Sequence, residues 1–411
     1  MAEDIVIPAH RAQPRPWHRA AAGLSALLLG IGFSRFGFAP LIPALIQAHW
    51  FGAADAAYLG AANLMGYLIG AAAAHRLAQL LPPVALIKIS MLAAAACFFA
   101  CGFPLGFAWY FPWRLLAGIT GGLLMVLAPS AILAETPAAR RGRVAGVIFT
   151  GVGAGIALSG TLVPWLVQWG LPATWFVLGL AGLALTALSW GGWPRAAVMS
   201  TAQKSKHAAR PRLTLALILL IAAYTSCGLG FVPHTVFWVD YIARFLGRGL
   251  ASGGFYWVLF GFGGAVGPML GGLLAERLGF ARGFALGLPA LAVCVGLPVL
   301  SSQPVFLAIS SFGTGGMGMG MVVLGSGCAG ELVPIEQQRQ VWGWMTATYA
   351  VTYAGGGYAL SFLFARTGSY DLLFAVGSAA MLLGGLLALP GALRPQARPR
   401  GATPPGIPPA R

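Results

Sequence analysis

The sequence predicts an all-helical, polytopic membrane protein of twelve spans arranged as two related six-helix halves, and three observations predict it. Composition is the first: of 411 residues, 58% are hydrophobic and only 8% charged, and the mean hydropathy is +0.80. A soluble domain carries roughly 25% charged residues, so this chain has too little polar surface to be a soluble enzyme, a nucleic-acid binder or a secreted module. The second observation is a series of twelve apolar runs, each near the ~20 residues that a spanning helix needs. The third is an internal repeat at an offset of about 200 residues.

The runs lie near 20–46, 56–78, 84–103, 106–134, 143–168, 171–193, 213–240, 252–275, 282–300, 304–330, 340–365 and 370–391. Trp109, Trp113, Trp165, Trp169, Trp175 and Trp238 fall near one set of run ends, as an interfacial aromatic belt does. The net charge of +16 does not revive a nucleic-acid reading. Its cations sit in short clusters between runs, where positive-inside topology puts them. With the N-terminus inside, 20 Lys and Arg fall on inside segments against 3 outside (Arg244, Arg248, Arg366), and Arg35 and Arg114 lie within runs. Both termini are therefore expected in the cytoplasm. The excess of arginine over lysine, with abundant Ala, Gly and Pro, suggests a bacterial genome rich in G and C, and so an inner membrane.

The expected organisation is a cytoplasmic N-terminal segment (1–19), a six-helix bundle (20–193), a basic cytoplasmic linker (194–212), a second six-helix bundle (213–391) and a proline-rich disordered tail (392–411). The mixed charges before the first run, and its length, do not fit a secretory signal peptide. All five cysteines fall inside apolar runs without zinc-type spacing, and read as packing residues. Gly313-Thr-Gly315-Gly-Met-Gly318 matches a dinucleotide-binding pattern but lacks the βαβ unit that gives it meaning. Met317, Met319 and Met321 do not share a helical face. No cofactor or metal is expected.

The repeat is explicit. Gly66-Tyr-Leu-Ile-Gly70 with His75-Arg76 aligns with Gly267-Pro-Met-Leu-Gly271 and Glu276-Arg277 at an offset of 201. Pro137 and Val144-Ala-Gly146 align with Pro334 and Val341-Trp-Gly343 at 197. In transporters built from such repeats, substrate sites lie near the midplane between the halves.

The segment Gly272-Leu-Leu-Ala-Glu276-Arg277-Leu-Gly279-Phe-Ala-Arg282 resembles the G-x-x-x-D/E-R-x-G-x-(R/K)-(R/K) signature of the major facilitator superfamily. Arg114-Leu-Leu-Ala-Gly118 resembles that superfamily's fourth-helix R-x-x-x-G pattern. Gly30-Ile-Gly-Phe-Ser-Arg35-Phe-Gly-Phe-Ala-Pro40, with Ala62-Asn63-Leu-Met-Gly66-Tyr67, resembles its YbfB/YjiJ-type branch. The resemblance implies the major facilitator fold, with two bundles rocking about a central cavity. It also implies a gate in which Glu276, followed by Arg277, closes on the start of the fifth helix around Arg140, Arg141 and Arg143. In the first half the matching loop keeps His75-Arg76 but has lost the acid, so its lock against Gln337 to Arg339 is expected to be weaker. Helix five carries Gly151-Val-Gly153-Ala-Gly155, but Ile156 stands where the glycine-rich antiporter pattern expects proline, which leaves little sign of export.

An arginine in the membrane is costly unless it meets a cavity or a partner, which makes Arg35 and Arg114 candidate substrate-binding residues. Snorkelling to the interface is the competing reading for Arg114, and pairing with another helix the one for Arg35. Asn63, the chain's sole asparagine, is either a hydrogen-bonding member of the site or helix-to-helix glue. Tyr349 and Tyr353, one helical turn apart, read equally as cavity lining or packing. His234 could titrate or simply pack. No Asp or Glu lies deep in any run; Asp240 is placed at an outer end. The expected function is secondary active transport of a small organic anion, most simply a carboxylate, by a monomer in the lipid bilayer, with a proton as one candidate coupling ion. The alternatives are a multi-substrate efflux carrier for hydrophobic compounds and, more remotely, a membrane sensor or enzyme. No catalytic cluster or nucleic-acid partner is expected.

Overall fold

A computed structural model describes residues 16–137, 140–194 and 211–393. Most of the expected N-terminal segment, linker and tail therefore lies outside the described residues. Each apolar run becomes one helix: α1 (Trp17–Gln47), α2 (Ala53–Leu80), α3 (Pro83–Ala100), α4 (Phe107–Ala134), α5 (Arg141–Leu166), α6 (Leu171–Ser189), α7 (Leu215–Phe245), α8 (Gly249–Leu278), α9 (Phe280–Leu300), α10 (Pro304–Leu332), α11 (Ile335–Thr367) and α12 (Tyr370–Ala392). Eleven are apolar enough to cross a membrane by composition; α11, which holds Thr348, Tyr349, Thr352 and Tyr353, falls short. Several helices outrun their apolar stretches. Hydropathy marks only the part that must sit in hydrocarbon, whereas backbone hydrogen bonding carries a helix into its polar flank, as at Ile335–Gln340 of α11. Turns that cannot be helical fall on glycine. Gly279 closes α8 at φ 81° and Gly368 closes α11 at φ 65°, backbone conformations that side chains with a Cβ rarely adopt.

The two halves use the same pairings. In the first, α2 packs on α4, α1 on α5, and α3 on both α4 and α6. In the second, α8 packs on α10, α7 on α11, and α9 on both α10 and α12. Glycine sets the closest of these approaches. A Cβ on Gly66 would lie 2.0 Å from the Leu115 carbonyl oxygen, and one on Gly118 2.1 Å from that of Asn63. The repeat-related Gly267 and Gly315 meet the Gly316 and Phe260 carbonyls at 2.1 Å each. Small residues let membrane helices touch backbone to backbone, so the aligned glycine pattern codes the same helix crossing twice. Gly118→Val should lower the melting temperature of the purified protein, at a cost of roughly 1–3 kcal/mol from overpacking. A wild-type melting curve would show that the crossing is looser than this geometry implies.

Two helices depart from regular α geometry in a way that hydropathy does not foretell. Residues Leu28–Phe36 of α1 and Pro233–Phe237 and Tyr241–Phe245 of α7 form π-helical turns. These helices head the two halves and share a pattern, Gly30-Ile-Gly32-Phe33 and Gly228-Leu-Gly230-Phe231, at an offset of 198. A proline, where the chain lacks an amide donor, opens the first α7 stretch (Pro233) and stands four residues past the α1 stretch (Pro40). A π turn locally breaks the regular ladder and is frequently found at functional sites.

Between the halves, α5 faces α8 and α2 faces α11. Their contacts lie toward one end of the molecule. There Gly254 meets Gly160, Trp257 Nε1 donates to Ser159 Oγ at 3.2 Å, and Tyr58 and Tyr358 approach with ring centroids 6.3 Å apart. Toward the other end, where α1, α5 and α11 begin, a Cβ on Gly146, Gly272 or Gly343 would find nothing within 4 Å. We call this the basic end, since it carries Arg76, Arg140, Arg143 and Arg277. Close contacts between the halves thus lie at the far end, whereas these three glycines at the basic end have open space beside them.

Candidate functional site

Three helices of the first half and two of the second converge on the middle of the molecule. Asn63 is 1% exposed, and its Nδ2 donates to the carbonyl oxygens of Ser34 on α1 (3.3 Å) and Arg114 on α4 (3.2 Å). Arg114 is 2% exposed, so it does not snorkel to the interface. Its Nη1 donates to the same Ser34 carbonyl at 3.1 Å, and its guanidinium lies 4.0 Å from the Phe38 ring centroid. Ser34 belongs to the π turn of α1, where the irregular ladder coincides with a carbonyl that serves two side chains from other helices. The Gly118 contact with Asn63 brings α2 and α4 close enough for this.

The remaining polar atoms of this group lack partners. Arg114 Nε and Nη2, Asn63 Oδ1, Ser34 Oγ and Arg35 Nε are all buried without a hydrogen bond. Nε and Nη2 form one edge of the guanidinium. Elsewhere in this protein the same edge of Arg244 grips the Asp240 carboxylate, Nε to Oδ1 at 2.5 Å and Nη2 to Oδ2 at 2.8 Å. Among the described residues no carboxylate meets Arg114 or Arg35.

Arg35 sits in an aromatic cage, its guanidinium carbon 5.0 Å from the Phe36 centroid, 4.7 Å from Tyr67 and 4.6 Å from Tyr353. Ring faces attract a cation most where water is scarce. Tyr353, from α11, donates its hydroxyl to Thr235 Oγ1 on α7 at 2.7 Å and stacks on Tyr349 with centroids 5.7 Å apart. Arg35, Asn63, Arg114, Thr235 and Tyr353 thus line one cavity between the halves, with Phe36, Phe38 and Val236 among its apolar walls. The space left inside is about 10 Å³, close to what a single water requires.

The other sequence candidates sit elsewhere. His234 is fully buried within the second half, its Nε2 bonded to Ser310 Oγ at 2.8 Å and its ring stacked on Trp238 at 4.4 Å. It faces α10 and α12 rather than the cavity, because α7 turns it away from Thr235 and Val236. Tyr349 lies behind Tyr353, against Tyr224 (5.6 Å between centroids). Glu276, Arg277, Arg143, His75 and Arg76 are all exposed at the basic end. Glu276 forms no ion pair with Arg140, Arg141 or Arg143 in the structure. Arg141 Nε instead donates to the Thr136 carbonyl at 3.0 Å, and His75 Nε2 lies 3.1 Å from Gln79 Nε2. Among the described residues, the ion pair at this end joins Arg19 to Glu135 at 2.6 Å, within the first half.

Sequence reasoning missed Tyr67, although its i, i+4 spacing from Asn63 puts both on one helix face. It also missed the Ser34 carbonyl, for which a side-chain pattern carries no signal. Asp240, placed near the end of its run, is 3% exposed, because α7 runs on five residues to Phe245 and encloses it with Arg244 and Tyr370.

Comparison with known proteins agrees with this architecture. The family described as "Uncharacterised MFS-type transporter YbfB" (MFS, major facilitator superfamily) matches residues 27–389. Among 307 matching chains of solved structures, a D-xylose-proton symporter superposes with a TM-score of 0.69 at 16% sequence identity, covering 90% of this chain and 96% of that one. A sequence comparison with the curated proteins found no match. Nearly the whole chain, from α1 to α12, is thus accounted for by one family: it belongs to the YbfB-type transporters of the major facilitator superfamily.

Proposed function

We propose that this transporter moves a small organic anion, most simply a carboxylate, across a bacterial inner membrane by alternating access, with both termini in the cytoplasm. The observation that supports the substrate class is the buried, unpartnered Nε–Nη2 edge of Arg114, the geometry that recognises a carboxylate in two parallel hydrogen bonds. Arg35, about five turns along α1 from its start, adds a second cation, and among the described residues no acid neutralises either. Counterflow in proteoliposomes tests the reading. Small carboxylates should exchange and compete, whereas a substrate shown to be neutral or cationic would overturn it.

On this reading the basic end is the cytoplasmic one and the described state faces inward. Driving energy comes from an ion or substrate gradient. A substrate carrying its own proton is the simplest form of proton coupling, since His234 is walled off from the cavity and Asp240 is engaged by Arg244. Closure of the basic end then brings Glu276 to the start of α5, while His75-Arg76 forms the weaker counterpart. Spin labels on Gly146→Cys and Gly272→Cys report this directly, because the described native cysteines are buried and both glycines have free space. Adding a transported anion should populate a shorter distance; an unchanged distribution would remove the gate from the proposal.

A further inference from the structure

Resting on the reading of Arg114 as the carboxylate anchor, we infer that the preferred anion is a 2-hydroxy carboxylate, its hydroxyl donating to Asn63 Oδ1. The orientation of the Asn63 amide is decided by its neighbours. Its nitrogen faces two carbonyl oxygens, Ser34 at 3.3 Å and Arg114 at 3.2 Å, and carbonyls only accept. The amide oxygen is therefore left as a buried acceptor with no donor. Such an atom costs free energy until something donates to it, and a plain carboxylate has no proton to offer.

The placement of the acceptor sets where the donor must be. Asn63 Nδ2 and Arg114 Nη1 both bind the Ser34 carbonyl, at 3.3 Å and 3.1 Å, so the amide and the guanidinium lie side by side. Asn63 and Arg114 also line the same small cavity, in which Oδ1, Nε and Nη2 are the atoms without partners, so a ligand that fills it satisfies all three when its hydroxyl sits close to its carboxylate, as on the second carbon. An ammonium at that carbon would also donate, but it would add a third positive charge beside Arg35 and Arg114, a like-charge penalty in a site screened from water. The present space, about 10 Å³, favours a compact ligand that enters as the halves part.

The test uses the purified full-length chain, with binding measured by calorimetry for three-carbon probes that differ at one position: lactate, propionate and alanine. Lactate should bind at least about tenfold more tightly than propionate, the factor expected from satisfying one buried acceptor, with alanine weaker than lactate. Asn63→Leu should bring lactate and propionate to within about twofold of each other. If that variant does not fold, the wild-type ratio alone decides. Equal affinities for lactate and propionate would overturn this inference and leave the carboxylate reading standing. Tighter binding of alanine would overturn it too, by showing that an ammonium is accepted. Absence of binding by all three would overturn both readings together.

Discussion

Arg114→Gln should reduce carboxylate uptake by about 100-fold or more, equivalent to about 2.8 kcal/mol of lost interaction. The guanidinium is anchored by two contacts that do not involve substrate, Nη1 on the Ser34 carbonyl and the face of Phe38. Its other edge is consequently held in place before any ligand arrives, and preorganisation of this kind raises affinity by lowering the ordering cost of binding. Glutamine cannot reproduce either the charge or the fork. Arg114→Lys separates the two contributions: it keeps the charge and loses the paired donors, so its uptake should fall between wild type and Arg114→Gln. Each variant needs a melting curve beside the uptake assay, since Arg114 also ties α4 to α1. Wild-type uptake by a folded Arg114→Gln protein would remove this residue from the site.

Stability should respond most to the Asp240–Arg244 ion pair, and unequally to its two members. Asp240 is buried on α7 and receives Arg244 Nε and Nη2 together with the Tyr370 hydroxyl of α12. The Arg244 side chain is 25% exposed and the Asp240 side chain 4%. Arg244→Leu strands a buried carboxylate and should cost roughly 3 kcal/mol or more. Asp240→Asn removes the charge but keeps an acceptor for Tyr370 and Arg244, so its cost should be distinctly smaller. Thermal unfolding of the two variants in one detergent checks the order. Equal losses would mean that Arg244 already draws most of its solvation from water at the membrane surface.

How far the site was legible in the sequence depends on the kind of signal each residue carries. Arg35 and Arg114 stand out because charges inside apolar runs are rare and costly, and Asn63 because no other asparagine exists in the chain. Gly66 and Gly267 stand out in the sequence through the repeat, whereas Gly118 and Gly315 are placed in the close helix crossings only by the fold. Tyr349 and Tyr353 were indistinguishable from packing by spacing, and the fold separates them: Tyr353 reaches the cavity and cages Arg35, while Tyr349 backs it. His234 carried the same ambiguity, and the π turns of α7 rotate it into the second half's core.

By itself, then, the sequence determined the number of helices, the duplication and the charges that must find company inside the membrane, since hydropathy, glycine spacing and charge are local properties of the chain. Which atoms of those side chains are already engaged was decided only by tertiary structure. The Ser34 carbonyl is a backbone group with no sequence signature, and it is an irregular turn in α1 that lets it take one donor each from Asn63 and Arg114. The edge of Arg114 and the oxygen of Asn63 that remain free are what is left after that engagement. A residue's chemistry is written in its identity, but its vacancy depends on every neighbour that could have filled it.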